Sequence, residues 1–294
     1  MAALVTVIFD GIAYGMLLYL ISVGLSVTLG LMNFVNLAHG VFAMLGGYTA
    51  LWVVNALGGS FFVAMGAAFM VASLAGGVLE AVLFRRLYNG SPLDQVLLSI
   101  GVVFVAVAGA TFLFGPTVQT LHLPDALQGQ WRLGGIALGR YRLFLIVSGL
   151  VVGLALWQLL VRTRFGAMVR ASVENASIAA AMGVHVPQLF LATFSLGCGL
   201  AGLGGALGLE MLGMEPAFAL KYMVYFLLVV SVGGAGTLAG PFVAALLVGL
   251  VDTAGKYYFP QLGSFLVYVF MVLVLLWRPH GLAGVGRTTG AGPT

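Results

Sequence analysis

Three polar side chains stand out because they interrupt a strongly apolar part of the sequence at short spacing. Asn33, Asn36 and His39 follow an apolar run at residues 4–31 and lead into a second run. An amide or imidazole that faces lipid without a partner is costly, so these groups must face protein or water. They are candidates for a translocation path or for holding a helix break; capping of helix ends at the cytoplasmic interface is the alternative. No His or acidic residue follows His39 at the spacing of helical metal ligands, so no metal site is expected.

The second candidate region is a glycine-rich run between two short apolar segments, residues 222–232 and 241–251. Each segment is shorter than the roughly 20 residues that a helix needs to cross a bilayer. We therefore expect two half-helices around a break embedded in the membrane. The candidate residues of this break are Gly233, Gly234, Gly236 and Thr237.

These two regions show a weak internal sequence similarity. Residues 37–45 can be aligned with residues 238–246, and in both places a break leads into an apolar run. Transporters are often built from duplicated halves that handle substrate where interrupted helices meet. An internal duplication with broken helices is one interpretation, and chance similarity between two helices rich in small residues is the other.

Composition determines the kind of element that positions these residues. Of 294 residues, 62% are hydrophobic and only 7% are charged, which excludes a water-soluble globule. We predict an all-α fold, a polytopic transmembrane helical bundle of about 8–10 membrane segments in one domain spanning residues 1–294. The formal net charge of +4 is expected to set membrane topology and not to bind nucleic acid. Cys198 is the only cysteine, so no intramolecular disulfide can form.

Basic residues indicate which loops face the cytoplasm. They follow successive groups of apolar segments at 85–86, 162–170 and 278–287. The segment at 115–142 then lies outside, where residues 131–133 and 136–138 predict a hairpin around a two-residue Gly turn. This outer loop is either a partner-docking surface or an ordinary cap over the bundle. The first apolar run has no basic residue ahead of it, so we interpret it as a membrane helix and not as a cleaved signal peptide.

The cytoplasmic segment at about 162–187 is too polar to span and too apolar for a loose linker. Its mixture of Arg, Glu and Asn with Ala, Ile and Met predicts short amphipathic helices at the membrane surface. Gly183 is a natural C-terminal stop for such a helix. The segment either presses into a cytoplasmic partner or only ties two spans together.

Motifs for enzyme chemistry are missing from the sequence. Gly255-Lys256 is followed by Tyr257 where a Walker motif needs Ser or Thr, and the Gly-rich run at 197–208 is typical of helix packing. The four His form no HExxH pattern, and no GxSxG occurs. We therefore expect no catalytic residue, no metal and no cofactor on this chain. The eight acidic residues lie mostly near segment ends, which disfavours an ion-coupled carrier; those to watch are Asp10, Glu80 and Glu210.

In combination, several stretches resemble the permease subunits of ATP-binding-cassette importers for branched-chain amino acids, the LivH type. The similarity runs almost end to end. The stretches that carry it are Gly24-Leu25-Ser26 through Asn36-Leu37-Ala38-His39-Gly40, Met44-Leu45-Gly46-Gly47-Tyr48, the loop from Arg164-Phe165-Gly166 to Met182-Gly183, the break from Gly233-Gly234-Ala235-Gly236-Thr237 to Gly240-Pro241, and Arg278-Pro279-His280-Gly281-Leu282.

The resemblance implies that the cytoplasmic loop contacts an ATPase, with residues 176–182 forming much of the docking surface. The residues implied in this coupling are Arg164, Gly166, Arg170, Glu174, Ala179 and Gly183. It further implies a bacterial inner-membrane complex with a second, LivM-like permease subunit, two ATPase subunits that bind ATP and Mg, and an external solute-binding protein.

The substrate that the resemblance implies is leucine, isoleucine or valine, for which we expect a largely apolar cavity lined by small residues. The same machinery importing urea, short amides or other amino acids is the nearest alternative. An ion-coupled carrier, which would need a buried carboxylate such as Glu80, and a passive channel are alternatives of a different class.

Overall fold

The computed structural model describes residues 2–32, 34, 36–88, 90–133, 136–234, 236–278 and 281–282. Nearly all of this chain is helical, as expected for an all-α membrane bundle. The elements in chain order are α1 Ala2–Met32, α2 His39–Asn55, α3 Phe61–Val82, the 3₁₀ turn Phe84–Leu87, α4 Pro92–Phe114, β1 Gln130–Leu133, β2 Ile136–Gly139, α5 Arg140–Arg162, α6 Arg164–Glu174, α7 Ala176–Ala181, α8 Val186–Leu207, α9 Leu209–Leu212, α10 Phe218–Gly233, α11 Ala239–Tyr258 and α12 Gly263–Trp277.

Six of these helices are long and apolar enough to cross a membrane: α1, α3, α4, α5, α8 and α11. The apolar helices α2, α10 and α12 are shorter, at 17, 16 and 15 residues. Within the described part of the chain these nine helices agree with the predicted number of segments. The fold is therefore a polytopic membrane bundle, as the composition predicted.

One predicted boundary is wrong. The segment after the glycine-rich run was expected to end near residue 251 and to be a half-helix, but α11 continues to Tyr258 and has 20 residues. The added turns contain Asp252 and Lys256, which are spaced i,i+4. They form an ion pair within the helix, with Lys256 Nζ 2.6 Å from Asp252 Oδ2, and this pair stabilises the continuation of the helix. Of the two segments that flank the glycine-rich run, only α10, at 16 residues, is short for a span.

Glycines allow the central helices to touch backbone to backbone. A Cβ added at Gly24 in α1 would lie 2.3 Å from the carbonyl oxygen of Gly197 in α8. A Cβ at Gly46 in α2 would lie 2.2 Å from the carbonyl oxygen of Gly202, again in α8. Without a hydrophobic effect to drive helices together in lipid, such close approach supplies the packing energy. The glycine-rich run of α8 thus has the packing role that the sequence predicted.

Helix α5 defines two ends of the bundle. It begins directly after the hairpin β1–β2 and ends directly before α6, and its 23 residues span about 34 Å at about 1.5 Å per residue. We call these the hairpin end and the α6 end. The predicted hairpin is confirmed, since Leu133 pairs with Ile136 in antiparallel register; Gly134 and Gly135 of its turn lie outside the described residues.

Candidate functional site

The break between α10 and α11 is built by glycines and one threonine. Gly234 and Gly236 have φ values of 89° and 87°, a region that side chains with a Cβ rarely adopt. A Cβ at Gly240 would lie 1.9 Å from the carbonyl oxygen of Gly233, so the two helix ends touch. Thr237 Oγ1 accepts a hydrogen bond from Gly240 N and donates one to Gly234 O, each at 3.3 Å. The helix is therefore interrupted here by a tight turn; that the interruption is a break embedded in the membrane stays a prediction.

Two other parts of the chain hold the break in place. Ser26 of α1, which is fully buried, donates its hydroxyl to the carbonyl oxygen of Thr237 at 3.1 Å, and its own carbonyl oxygen accepts from Gly236 N at 3.3 Å. From the C-terminal side, Leu282 N donates to Val232 O at 2.7 Å. The break is thus hydrogen-bonded to α1 and to the segment that follows α12.

The segment at 162–187 forms the two short helices that its composition predicted. Thr163 Oγ1 accepts from Gly166 N at the start of α6, and Asn175 Oδ1 accepts from Ile178 N at the start of α7. Gly183 has a φ of 88° beyond the end of α7, so it is the predicted stop.

The coupling residues divide into an inner and an outer set. Gly166 and Ala179 are buried; a Cβ at Gly166 would lie 2.0 Å from the carbonyl oxygen of Leu160, so this glycine seats α6 against the end of α5. Arg170, although exposed, donates its guanidinium to Leu160 O. The remaining three, Arg164, Glu174 and Gly183, are exposed.

Two apolar side chains of this segment point away from the protein. Ile178 is 62% exposed and Met182 is 81% exposed, and they are spaced i,i+4 at the end of α7. Both lie within the expected docking stretch 176–182. Sequence reasoning missed them as individual residues, although apolar residues at helical spacing in a short polar helix were the available signal.

The break and helix α6 meet at one cavity. This cavity of about 270 Å³ is lined by Val169 and Arg170 of α6, by the last turns of α5 and by the turn and first residue of α11, Gly236 to Ala239. The structure therefore brings two of the three predicted regions together at the α6 end.

The third region, around Asn36 and His39, does not line this cavity, and its side chains bond to the backbone of nearby helices and turns. Asn36 and His39 are each 1% exposed. Asn36 Oδ1 accepts from Ala38 N at 3.0 Å, and His39 Nε2 lies 2.7 Å from Ile21 O. These bonds hold the turn that connects α1 to α2. Asn33 lies outside the described residues.

Glu80 is buried with both carboxylate oxygens bonded. Arg85 donates to Oε1 at 3.2 Å and to Oε2 at 2.8 Å, and the Tyr88 hydroxyl donates to Oε1 at 2.8 Å. The hydrogen bond to Glu80 raises the pKa of Arg85. The group forms a closed clamp between the end of α3 and the 3₁₀ turn that follows it.

The other two acidic residues to watch lie at the hairpin end. Asp10 forms an ion pair with Arg142 in the first turn of α5. Desolvation raises the pKa of Glu210 in α9, and the positive charge of Arg142 opposes this rise.

Asp252 was not singled out in the sequence, yet it is only 2% exposed inside α11. Its carboxylate accepts from Lys256 Nζ at 2.6 Å and from the Tyr225 hydroxyl at 3.2 Å. The signal was available, because an acidic residue followed by a lysine four positions later marks an ion pair within one helix. These groups line a second cavity, of about 650 Å³, at the hairpin end. Its lining combines charged and hydroxyl-bearing side chains with the apolar Met211 and Leu212.

Within the described ranges, no group of three or more His, Cys, Asp or Glu side chains is placed to hold a metal ion. A helical membrane bundle with a glycine-built break and a pair of short helices at one end is an architecture that suits a membrane permease. The comparisons with known proteins name the family. Residues 7–275 match the profile of the branched-chain amino acid transport system permease component, so the chain belongs to that family.

Individual relatives agree over nearly the full length. The chain is 24% identical over 291 residues to the high-affinity branched-chain amino acid transport system permease protein LivH of Escherichia coli K12, covering 94% of each chain. It is 27% identical over 290 residues to the probable branched-chain amino acid transport permease protein LivH of Methanocaldococcus jannaschii, covering 93% of this chain and 90% of the relative. It is also 25% identical over 299 residues to LivM of Escherichia coli K12, covering 92% of this chain and 69% of LivM. No solved structure matches the chain.

Proposed function

We propose that this chain is a membrane-spanning permease subunit of an ATP-binding-cassette importer that translocates leucine, isoleucine and valine delivered by an external solute-binding protein. The observation that carries the proposal is that α6 lies beside the break while the next helix, α7, exposes Ile178 and Met182. An exposed apolar pair at helical spacing suits insertion into a groove on another protein. The printed names of the LivH relatives support the substrate class.

ATP and Mg are bound, in this proposal, by two ATPase subunits that receive α7. Because α6 lies beside the start of α11, a displacement of the ATPase reaches a transmembrane helix through one contact layer. The exposed hairpin end is where the external binding protein docks. Membership of a bacterial inner-membrane complex follows from the importer class.

Similarity to both LivH and LivM supports pairing of this chain with a second, LivM-like permease. Two related permeases side by side would present two α7 helices to two ATPases. The path for the amino acid would then be formed with the contribution of both chains.

The ion-coupled alternative is disfavoured by the geometry of Glu80. A proton or sodium carrier needs a carboxylate that exchanges its partner during transport. Both oxygens of Glu80 are held by Arg85 and Tyr88 instead. Glu80 is therefore not suited to be a coupling carboxylate, and the ATP-depletion arm of the uptake test below separates the two classes of transporter.

The test is uptake of labelled leucine, isoleucine, valine and urea at low concentration, in cells with the gene deleted and restored, with and without ATP depletion. The proposal expects that deletion abolishes uptake of the three branched-chain amino acids, that restoration recovers it, and that ATP depletion blocks it. ATP-dependent uptake of urea in their place would refute the proposed substrate and support the proposed class of importer. Flux that survives ATP depletion would refute the importer.

A further inference from the structure

The cavity at the hairpin end has an unusual lining for a membrane bundle. It has a volume of about 650 Å³ and lies between α1, α10, α11, α12 and the first turn of α5. That volume falls within the range of about 300–1,000 Å³ that is typical of small-molecule sites. Its charged and hydroxyl-bearing lining includes Asp10, Tyr14, Arg142, Tyr225, Asp252 and Lys256.

Two ion pairs face this one cavity. Asp252 pairs with Lys256, and Asp10 pairs with Arg142. Ionisable residues inside membrane segments are costly and usually mark a path or a ligand site. The cation of each pair is partly exposed, Lys256 at 52% and Arg142 at 39%, and an ion pair with an exposed partner adds little stability. Helix packing therefore does not explain why both pairs are concentrated here.

The partners of Asp252 differ in their freedom to move. Its carboxylate is 2% exposed, whereas the Lys256 side chain that pairs with it is 52% exposed. Lys256 also lies over the Tyr14 ring, with Nζ 5.5 Å from the ring centroid. A primary ammonium thus already sits on Asp252, on a flexible stem that can leave it. Another ammonium can take the same place without leaving the carboxylate unpaired.

We propose that this cavity binds the charged ends of a zwitterionic amino acid, with the ligand ammonium on Asp252 and the ligand carboxylate on Lys256 and Arg142. The ligand exchanges with Lys256 on Asp252, and the released Lys256 then pairs with the ligand carboxylate. Every charged group keeps a partner of opposite charge during binding, so no isolated charge is buried. Met211 and Leu212, which also line the cavity, offer apolar contact to an aliphatic side chain. This assignment rests on the proposed import of amino acids and names the site on the permease that receives them.

The test uses cysteine protection, because the single native cysteine, Cys198, is fully buried. Thr253, which lines the cavity one residue beyond Asp252, is replaced by cysteine. The full complex in proteoliposomes is treated with a charged, membrane-impermeant methanethiosulfonate reagent at rising leucine concentration, without ATP. Phe259→Cys, at the exposed end of the same helix, is the matched control.

We expect leucine to slow modification of the Thr253→Cys variant and to leave Phe259→Cys unaffected. At a leucine concentration of about ten times its dissociation constant the rate falls about elevenfold, because only unoccupied cavities react. Urea, 4-methylpentanoate, which lacks the ammonium, and leucinamide, which lacks the carboxylate, do not protect. Adding Asp252→Asn abolishes the protection, and adding Lys256→Arg retains it.

Failure of this site and failure of the importer give different results. Equal protection by leucine and its one-ended analogues, or full protection in the Asp252→Asn background, would overturn the zwitterion site even where ATP-dependent uptake is normal. If only the zwitterion protects the cysteine but cells do not import leucine through this chain, the binding site is supported and the proposed transport substrate is refuted. Where Asp252→Asn fails to insert, the analogue comparison on the Thr253→Cys variant alone still decides.

Discussion

The exposed apolar pair of α7 gives the sharpest test of the coupling surface. Ile178 and Met182 contribute little to the folded permease, since they are 62% and 81% exposed. Replacing both by serine should therefore leave insertion and stability nearly unchanged. Their contribution should appear only when another protein covers them.

The size of the effect follows from the area that becomes buried. Fully burying an Ile or Met side chain stabilises by about 2 kcal/mol. Scaled by the exposed fractions, Ile178 contributes about 1.2 kcal/mol and Met182 about 1.6 kcal/mol, and together about 3 kcal/mol. Since about 1.4 kcal/mol is a factor of ten in affinity, complete burial corresponds to about a hundredfold. Ordering costs at a protein interface reduce this, so we expect a ten- to hundredfold weaker ATPase affinity.

The assay is copurification of the ATPase with the double variant Ile178→Ser, Met182→Ser, followed by ATP-dependent leucine uptake. Ala176→Ser with Ala180→Ser is the matched control, because these exposed residues of the same helix carry no large apolar surface. Retention of the ATPase at the level of the control, together with normal uptake, would refute the assignment of α7 as the docking helix.

Two further predictions concern the packing that supports this surface. Arg85→Met removes the cation from buried Glu80 and should lower the unfolding free energy by about 2 kcal/mol, less than for a fully buried pair because Arg85 is 39% exposed. The control Arg86→Met, at the exposed neighbouring residue, should lower the unfolding free energy far less. Equal thermal stability of the two variants would contradict the clamp. Gly46→Ala places a Cβ 2.2 Å from an α8 carbonyl oxygen and should destabilise by roughly 1–3 kcal/mol. Gly66→Ala, where no atom lies within 4 Å, should be neutral or stabilising, and thermal unfolding in detergent compares the two.

Features whose cause is local could be predicted from the sequence. The hairpin predicted at 131–138 and the stop at Gly183 each depend on a few neighbouring residues with special backbone preferences. Helix α8 was expected as a packing helix because its glycines repeat along one apolar run.

Contacts between distant parts of the chain were not visible in the sequence. Nothing in the sequence places Ser26 on Thr237, 211 positions away, or Asp10 beside Arg142. Asp252 was missed for the same reason: its burial depends on how α10 and α11 pack. The candidate His39 was found by its type, but only the structure supplies its partner, the carbonyl oxygen of Ile21.

Helix α11 connects the cavity beside α6 with the cavity at the hairpin end. It begins at Ala239, which lines the cavity beside α6, and it carries Asp252 and Lys256 in the cavity at the hairpin end. The 13 residue steps from 239 to 252 correspond to about 20 Å of helix. In the proposed importer, a displacement of the start of α11 would move the ion pair with it. The break before α11 must then be held firmly enough to transmit movement.

Ser26 is the residue in α1 that provides this hold, and α1 offers its own control. Ser22 and Ser26 are both fully buried in the same helix, one turn apart. Ser26 donates to Thr237 O at 3.1 Å, whereas the Ser22 hydroxyl has no hydrogen-bond partner among the described residues. Ser26→Ala should therefore lower the unfolding free energy by about 1 kcal/mol and reduce uptake, because the break loses a link to α1. Ser22→Ala should be neutral or slightly stabilising; thermal unfolding and uptake that respond equally to both substitutions would contradict a specific hold on the break.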